Sequence, residues 1–130
     1  MQNILSRHRR SALACAIASL GLPAAAQVTQ LDLMGPAQIL SRVPGARVHL
    51  AWQAVEPVAT DVGFTINPTT SFQDCPPLDV VCAPGGVGVL DQLNDARTIG
   101  FLRRQGASAR YVTSVCNGSL VLGAAGLIDG

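Results

Sequence analysis

Charge and histidine are scarce in this 130-residue chain. Only 13% of its residues are charged, against ~25% in ordinary soluble proteins, and the formal net charge is +1. No basic stripe runs along it, so nucleic-acid binding has no electrostatic basis. The histidines are only His8 and His49, and no Cys-x-x-Cys pair occurs. A zinc site therefore lacks ligands at usable spacing. No histidine is placed to complete a Cys–His pair. No motif calls for a metal or a cofactor.

What is present is apolar. Hydrophobic residues make up 48% of the chain and the mean hydropathy is +0.34. That composition points to a globular domain, because disordered chains are apolar-poor and highly charged.

Part of the apolar content sits at the N-terminus, where residues 1–26 read as a signal peptide. Arg7, His8, Arg9 and Arg10 give a positive start, and Ser11 to Leu22 carries no charge. Ala24-Ala25-Ala26 before Gln27 is a small-residue cleavage signal. The apolar run, about 12 residues, falls short of the ~20 that span a bilayer. A packed apolar helix is the other reading. Arg9-Arg10 also raises twin-arginine export. The expectation is an exported, periplasmic protein with no membrane association after signal removal, or a cytoplasmic one if the signal is not used. Cleavage would leave Cys75, Cys82 and Cys116, an odd number that argues against a complete disulfide framework.

Residues 27–130 read as an α/β domain. Gly35-Pro36 suits a helix start, which predicts a short helix over Ala37 to Arg42, stopped by Val43-Pro44-Gly45. Arg47 to Trp52 alternates and is β-rich, and Val62 to Ile66 is a second strand candidate ended by Asn67-Pro68. Glu56-Pro57 and Ser71 to Pro77 read as loops. Leu78 to Ala83 is a short apolar run closed by Pro84-Gly85-Gly86, as in a buried parallel strand. Asp91 to Gln105 reads as one helix, with Gly106 at its C-terminal stop. Tyr111 to Val115 is a second buried strand, and Gly118 to Ala125 a small-residue helix closed by Gly126. This βαβα order implies an open α/β sheet. Ligands bind such sheets beyond the carboxyl ends of the strands, where Pro84-Gly85-Gly86 and Cys116-Asn117-Gly118 fall.

Ser114-Val115-Cys116-Asn117-Gly118 has the layout of a G-x-S-x-G nucleophile elbow, with Cys at the centre and Ser in place of the first Gly. A sharp turn from strand to helix pushes the central side chain into an exposed, strained position, and small neighbours let the backbone fold back. The helix that follows points free N–H groups at the sulfur. The alternative is a buried structural cysteine, the common fate of a free thiol. Asp32, between Leu31 and Leu33, is either a helix N-cap or a proton-transfer group near Cys116. Gly85 and Gly86 either offer backbone N–H groups to developing negative charge or form a plain turn. Cys82 fits core packing, Cys75 lies in a Pro-flanked loop without an assigned role, and His49 is structural.

These residues carry a resemblance. Asp79 to Gly86 and Tyr111 to Leu127 resemble the isonitrile hydratase branch of the ThiJ/PfpI superfamily, and Gln30-Leu31-Asp32-Leu33-Met34-Gly35-Pro36 is similar to its acid-bearing motif. The resemblance covers nearly all of Thr29 to Gly130. It implies a flavodoxin-like three-layer α/β sandwich with a mostly parallel sheet, usually dimeric, so that a homodimer is expected. It implies that Cys116 is the nucleophile and Asp32 the acid/base for a small-molecule substrate, the isonitrile, converted with water to an N-substituted formamide. Gly85, Gly86, Asn117 and Gly118 would line the substrate or oxyanion site. Asn117 stands where that branch usually has Thr with a suggested catalytic part; an amide in place of the hydroxyl keeps hydrogen bonding but not proton transfer.

The resemblance also implies a domain incomplete at both ends. The family's first strand should lead directly into the Asp32 motif, where the signal-like segment ends; Ala14 to Leu22 is the other candidate for that strand, and Pro23 to Val28 then fits awkwardly. The family also continues well beyond position 130. Three functional readings therefore stand: a cysteine-dependent hydratase or hydrolase, an inactive fragment of such an enzyme, and a ligand-sensing domain like that of AraC-type regulators.

Overall fold

The structure is a computed structural model that describes residues 12–16 and 27–128. Its centre is a parallel sheet of five strands: β1 (Ala12–Ala16), β2 (Arg47–Trp52), β5 (Thr70–Ser71), β6 (Val80–Ala83) and β7 (Tyr111–Ser114). Their order is β5-β2-β1-β6-β7, and every pairing in this sheet is parallel. Two further short strands, β3 (Val58–Ala59) and β4 (Thr65–Ile66), form an antiparallel hairpin beside it. Helix α1 (Gln30–Leu40) joins β1 to β2. Helices α2 (Val89–Gln92) and α3 (Ala96–Gly106) join β6 to β7, and α4 (Ser119–Ala124) follows β7. From β1 the chain moves one way to β2 and the other way to β6. Parallel crossovers are right-handed, so α1 and α3 cover opposite faces. This is the expected flavodoxin-like arrangement of helices on a parallel sheet.

The core draws on both ends of the chain. Leu33 of α1, Ala51 and Trp52 of β2, Val81 and Cys82 of β6, and Phe101 and Leu102 of α3 are all buried. Phe72 stacks on Phe101 with centroids 4.1 Å apart, and Trp52 meets Phe72 edge-on at 5.6 Å. Stacked and edge-on geometries both suit the ring quadrupole.

Several elements differ from the sequence expectation. The helix expected over Ala37 to Arg42 starts seven residues earlier, at Gln30, and keeps Pro36 inside it. Pro36 cannot donate to the carbonyl four residues back, that of Asp32, a defect that isolated helices rarely tolerate. Tertiary contacts hold this one. The Asp61 carboxylate accepts from the Gln30 N–H at 2.8 Å, doing from the hairpin what the Thr29 N-cap side chain does not, and Leu33 is fully buried.

The single helix expected over Asp91 to Gln105 is two helices, with the break at Leu93 to Asp95. Asp95 caps α3 by accepting from the Arg97 and Thr98 N–H groups at 3.0 and 2.9 Å. Burial alone would raise the Asp95 carboxyl, but these donors and the Arg97 guanidinium outweigh it and hold the group below its usual range. Strand β7 is not buried as expected. It is the last strand of the sheet among the described residues, and Tyr111 and Thr113 are exposed. The strand expected over Val62 to Ile66 is reduced to Thr65–Ile66. The loop expected from Ser71 begins inside β5.

The expected signal segment lies outside the described residues except for Ala12–Ala16. Those five residues are β1, paired with β2 on one side and β6 on the other. Removing residues 1–26 would leave the facing edges of β2 and β6 without their shared partner. The chain from Gln27 onward is therefore expected to show no cooperative thermal transition by circular dichroism, because two central pairings are lost from a fold whose net stability is only ~5–15 kcal/mol. A two-state melt close to that of the full chain would show β1 to be dispensable.

Candidate functional site

The carboxyl ends of β6 and β7 meet at one point. The Val115 N–H donates to the Ala83 carbonyl at 3.0 Å, which continues the ladder one residue past β7. Cys116 then takes φ +52, the positive-φ residue that is not glycine among those described. An L-residue in this left-handed region carries strain, as a nucleophile elbow requires. The chain turns through a short 3-10 segment, Cys116–Gly118, into α4. Gly118 is obligatory here, because a Cβ on it would run into the Ala83 carbonyl. The Cys116 side chain is exposed.

Behind the elbow, α4 is fixed at its other end. Arg103 donates to the Ala125 and Ala124 carbonyls at 3.2 and 3.3 Å, a cationic contribution at a helix C-terminus. Gly106 leaves room for Leu127, whose methyl groups lie 2.6–2.7 Å from where a Cβ would stand. Gly106 ends α3 as expected, and its missing side chain also serves close packing.

Gly85 is the hub. A Cβ placed on it would stand 2.6 Å from Asp32 Oδ2, 2.7 Å from Asn117 Oδ1 and 2.7 Å from Cys116 Cβ. Three chemically active side chains, from α1 and from the elbow, therefore converge on the bare Cα of one residue. Asp32 Oδ2 is buried and has no hydrogen-bond partner. An unpaired buried carboxylate oxygen is costly to a fold, and functional sites are where such atoms persist. The expectation that Asp32 approaches Cys116 is thus met geometrically, and its N-cap alternative is not: Thr29 holds that position.

The glycine loop is tied down on several sides. The Thr29 N–H donates to the Gly85 carbonyl at 2.9 Å, and the Gly88 N–H to the Gln27 carbonyl at 3.2 Å. The Gly86 N–H donates to Asn117 Oδ1 at 2.9 Å, and Asn117 Nδ2 donates back to the Gly86 carbonyl at 3.1 Å. The Gly118 N–H donates to the Val115 carbonyl at 3.0 Å. The Gly86 and Gly118 N–H groups are thus engaged within the protein, and the Asn117 amide gives one donor and one lone pair to Gly86. The segment Gln27–Thr29 and Asp61 were not expected near the site. Their hydrogen-bond partners lie far along the sequence, and no local motif marks them.

The other thiols differ in setting. Cys82 is buried in β6, as expected, and burial pushes the half-buried Cys75 thiol up to about 11. Among the described residues, no group of three or more His, Cys, Asp or Glu could hold a metal ion. No described helix is long and apolar enough to cross a membrane.

With this geometry in place, likeness to known proteins becomes informative. The sequence profile of the DJ-1/PfpI family matches residues 19–130. The chain belongs to the DJ-1/PfpI family. It is 56% identical over 104 residues to an isonitrile hydratase of Pseudomonas putida, covering 80% of this chain and 46% of that protein. It is 35% identical over 68 residues to the HTH-type transcriptional regulator GbdR of Pseudomonas aeruginosa, covering 52% of this chain and 18% of the regulator. Among solved structures it superposes on a ThiJ/PfpI family protein from Pseudomonas syringae with a TM-score of 0.84 at 36% identity, covering all of this chain and 54% of the other. The chain thus spans about half the length of the isonitrile hydratase and of that solved structure.

Two outcomes are expected of this DJ-1/PfpI site. At about pH 8, iodoacetamide is expected to modify Cys116 ahead of Cys75 and Cys82, because thiolate and access set the rate. Peptide mapping by mass spectrometry reads the order, and Cys75 reacting first would contradict the assigned exposures. Gly85→Ala is expected to displace Asp32 or Cys116, slow Cys116 alkylation and destabilise the fold by roughly 1–3 kcal/mol, as overpacking does. Wild-type alkylation and melting in this variant would show that the pinch at Gly85 is not tight.

Proposed function

We propose that this chain carries the catalytic half-site of a cysteine-dependent hydratase acting on isonitriles. The observation that carries the reading is the convergence of Cys116 and the unpaired Asp32 Oδ2 on Gly85. Identity of 56% to an isonitrile hydratase supports the substrate class. The inactive-fragment reading and the sensing reading, the latter favoured by the likeness to GbdR, predict no turnover.

In this reading the Cys116 sulfur attacks the terminal isonitrile carbon and an S–C bond forms. The thiol proton passes through the Asp32 carboxyl to that carbon, giving a thioimidate. Water then adds across the C=N bond, its oxygen to carbon and a proton to nitrogen. The C–S bond breaks, and the hydroxyl proton returns through Asp32 to sulfur as the carbonyl forms. The product is the N-substituted formamide, and the protein ends as it began. Asp32 suits a relay because its Oδ2 has no competing donor in the fold.

Two accompanying expectations keep the same status. A homodimer fits the family, and sedimentation measures it. Residues 1–26 are either a cleaved export signal or, with Ala12–Ala16 paired in the sheet, a retained part of a cytoplasmic protein. The position of β1 favours retention. Intact mass of the protein isolated from its host decides between them: loss of residues 1–26 supports export, and full mass supports retention.

The test of function is formamide production from an alkyl isonitrile, followed by proton NMR. Wild-type protein is expected to turn over, Cys116→Ser to be inactive, and Asp32→Asn to fall roughly 100-fold or more in kcat, in the range of lost general acid–base catalysis. Turnover that survives Cys116→Ser would sink the proposal.

A further inference from the structure

We propose that Asn117 is a positioning residue: its carboxamide clamps the glycine loop to the elbow and so sets the distance between the loop and Cys116. The clamp is a two-point bracket. Asn117 Oδ1 accepts from the Gly86 N–H at 2.9 Å and Asn117 Nδ2 donates to the Gly86 carbonyl at 3.1 Å. A planar carboxamide matches a single residue's N–H and C=O in this way, and no shorter or charged side chain offers both a donor and an acceptor at that spacing. Asp would keep the acceptor only, and Ala neither.

The loop needs such a clamp. Gly86 sits at φ +139, a conformation open to glycine but not favoured over its other states. Nothing in the residue's own preferences holds it there. Backbone neighbours help: the Val89 N–H reaches the Gly86 carbonyl at 3.2 Å and the Thr29 N–H the Gly85 carbonyl at 2.9 Å. The Gly86 N–H, however, is taken by Asn117. Asn117 also lies against Gly85, with Oδ1 2.7 Å from the point where a Cβ would stand.

The location gives the clamp its function. Asn117 directly follows Cys116, whose backbone is itself held at φ +52. One rigid turn therefore fixes both the sulfur and the loop opposite it. Both polar ends of the Asn117 amide bond to Gly86, each with one N–H or one lone pair to spare. The split between kcat and KM is what separates a positioning role from the substrate-binding role expected from the sequence. The kinetic consequence rests on the hydratase reading; the clamp itself does not.

The experiment uses NMR on the full, isotope-labelled chain. In the wild-type protein a scalar coupling across the hydrogen bond is expected between the Gly86 amide nitrogen and the Asn117 side-chain carbonyl carbon. In Asn117→Ala the Gly86 amide is expected to exchange with solvent roughly tenfold faster, the equivalent of one lost hydrogen bond, while the Val115 and Tyr111 amides keep their rates. In Asn117→Asp, which keeps the acceptor but sets a second carboxylate oxygen against the Gly86 carbonyl, Gly86 exchange is expected to fall between wild type and Asn117→Ala. Absence of the coupling in wild type, or unchanged Gly86 exchange in Asn117→Ala, overturns the proposal. If Asn117→Ala loses its fold, the wild-type coupling alone decides. Where turnover is measurable, Asn117→Ala is expected to lower kcat by up to about 100-fold, the effect of a small misplacement, with KM nearly unchanged. A raised KM with kcat retained would assign Asn117 to substrate contact instead and overturn the positioning role.

Discussion

The approach of Gly118 to the Ala83 carbonyl is the contact on which the rest depends. A side chain at position 118 would collide with that carbonyl, so only glycine lets the strand β7 turn back against the end of β6. The Val115 N–H bonds to the same Ala83 carbonyl from the other side. Two consecutive βα corners are thereby locked together, and Cys116 is left at the crest with a positive φ. The strain at one cysteine is held by backbone packing that involves no functional group.

Around that corner the structure is tied down by connections that run far along the chain. Gln27 to Thr29 cross the glycine loop and bond to Gly85, Gly88, Ala59 and Asp61. Asp61 in turn holds the first N–H of α1, and α1 carries Asp32. Placement of the carboxylate thus depends on the β3–β4 hairpin, which has no chemistry of its own. On the opposite flank, Arg103 and Leu127 set the far end of α4. Rigid supports of this kind are what a reactive constellation needs to stay in register.

The sequence made the corners legible and the supports illegible. Ser114 to Gly118 and Pro84 to Gly86 are local patterns: small residues next to an apolar run, with one chemistry in the middle. Strand β2 was legible to the residue because Arg47 to Trp52 is β-rich between clear turns. Helix α1 was not, since Gly35-Pro36 reads as a start and only the distant contacts of Leu33 and Asp61 reveal an earlier one. The break between α2 and α3 carried a readable sign in Asp95, a good N-cap with Thr98 three residues on. The apolar character of Leu93 masked it. The Asn117 clamp could not be read at all, because its partner Gly86 lies 31 positions away. At the N-terminus one apolar segment supports two readings, leader and strand, since both demand short uncharged runs.

Covalent capture tests most directly the claim that the elbow makes Cys116 the nucleophile. Full-length protein is mixed with an alkyl isonitrile, quenched within the first turnovers, digested and mapped by mass spectrometry. The account predicts an increment equal to the mass of the isonitrile on the peptide that carries Cys116, and no increment there in Cys116→Ser. No increment on that peptide, or one confined to Cys75, would contradict it.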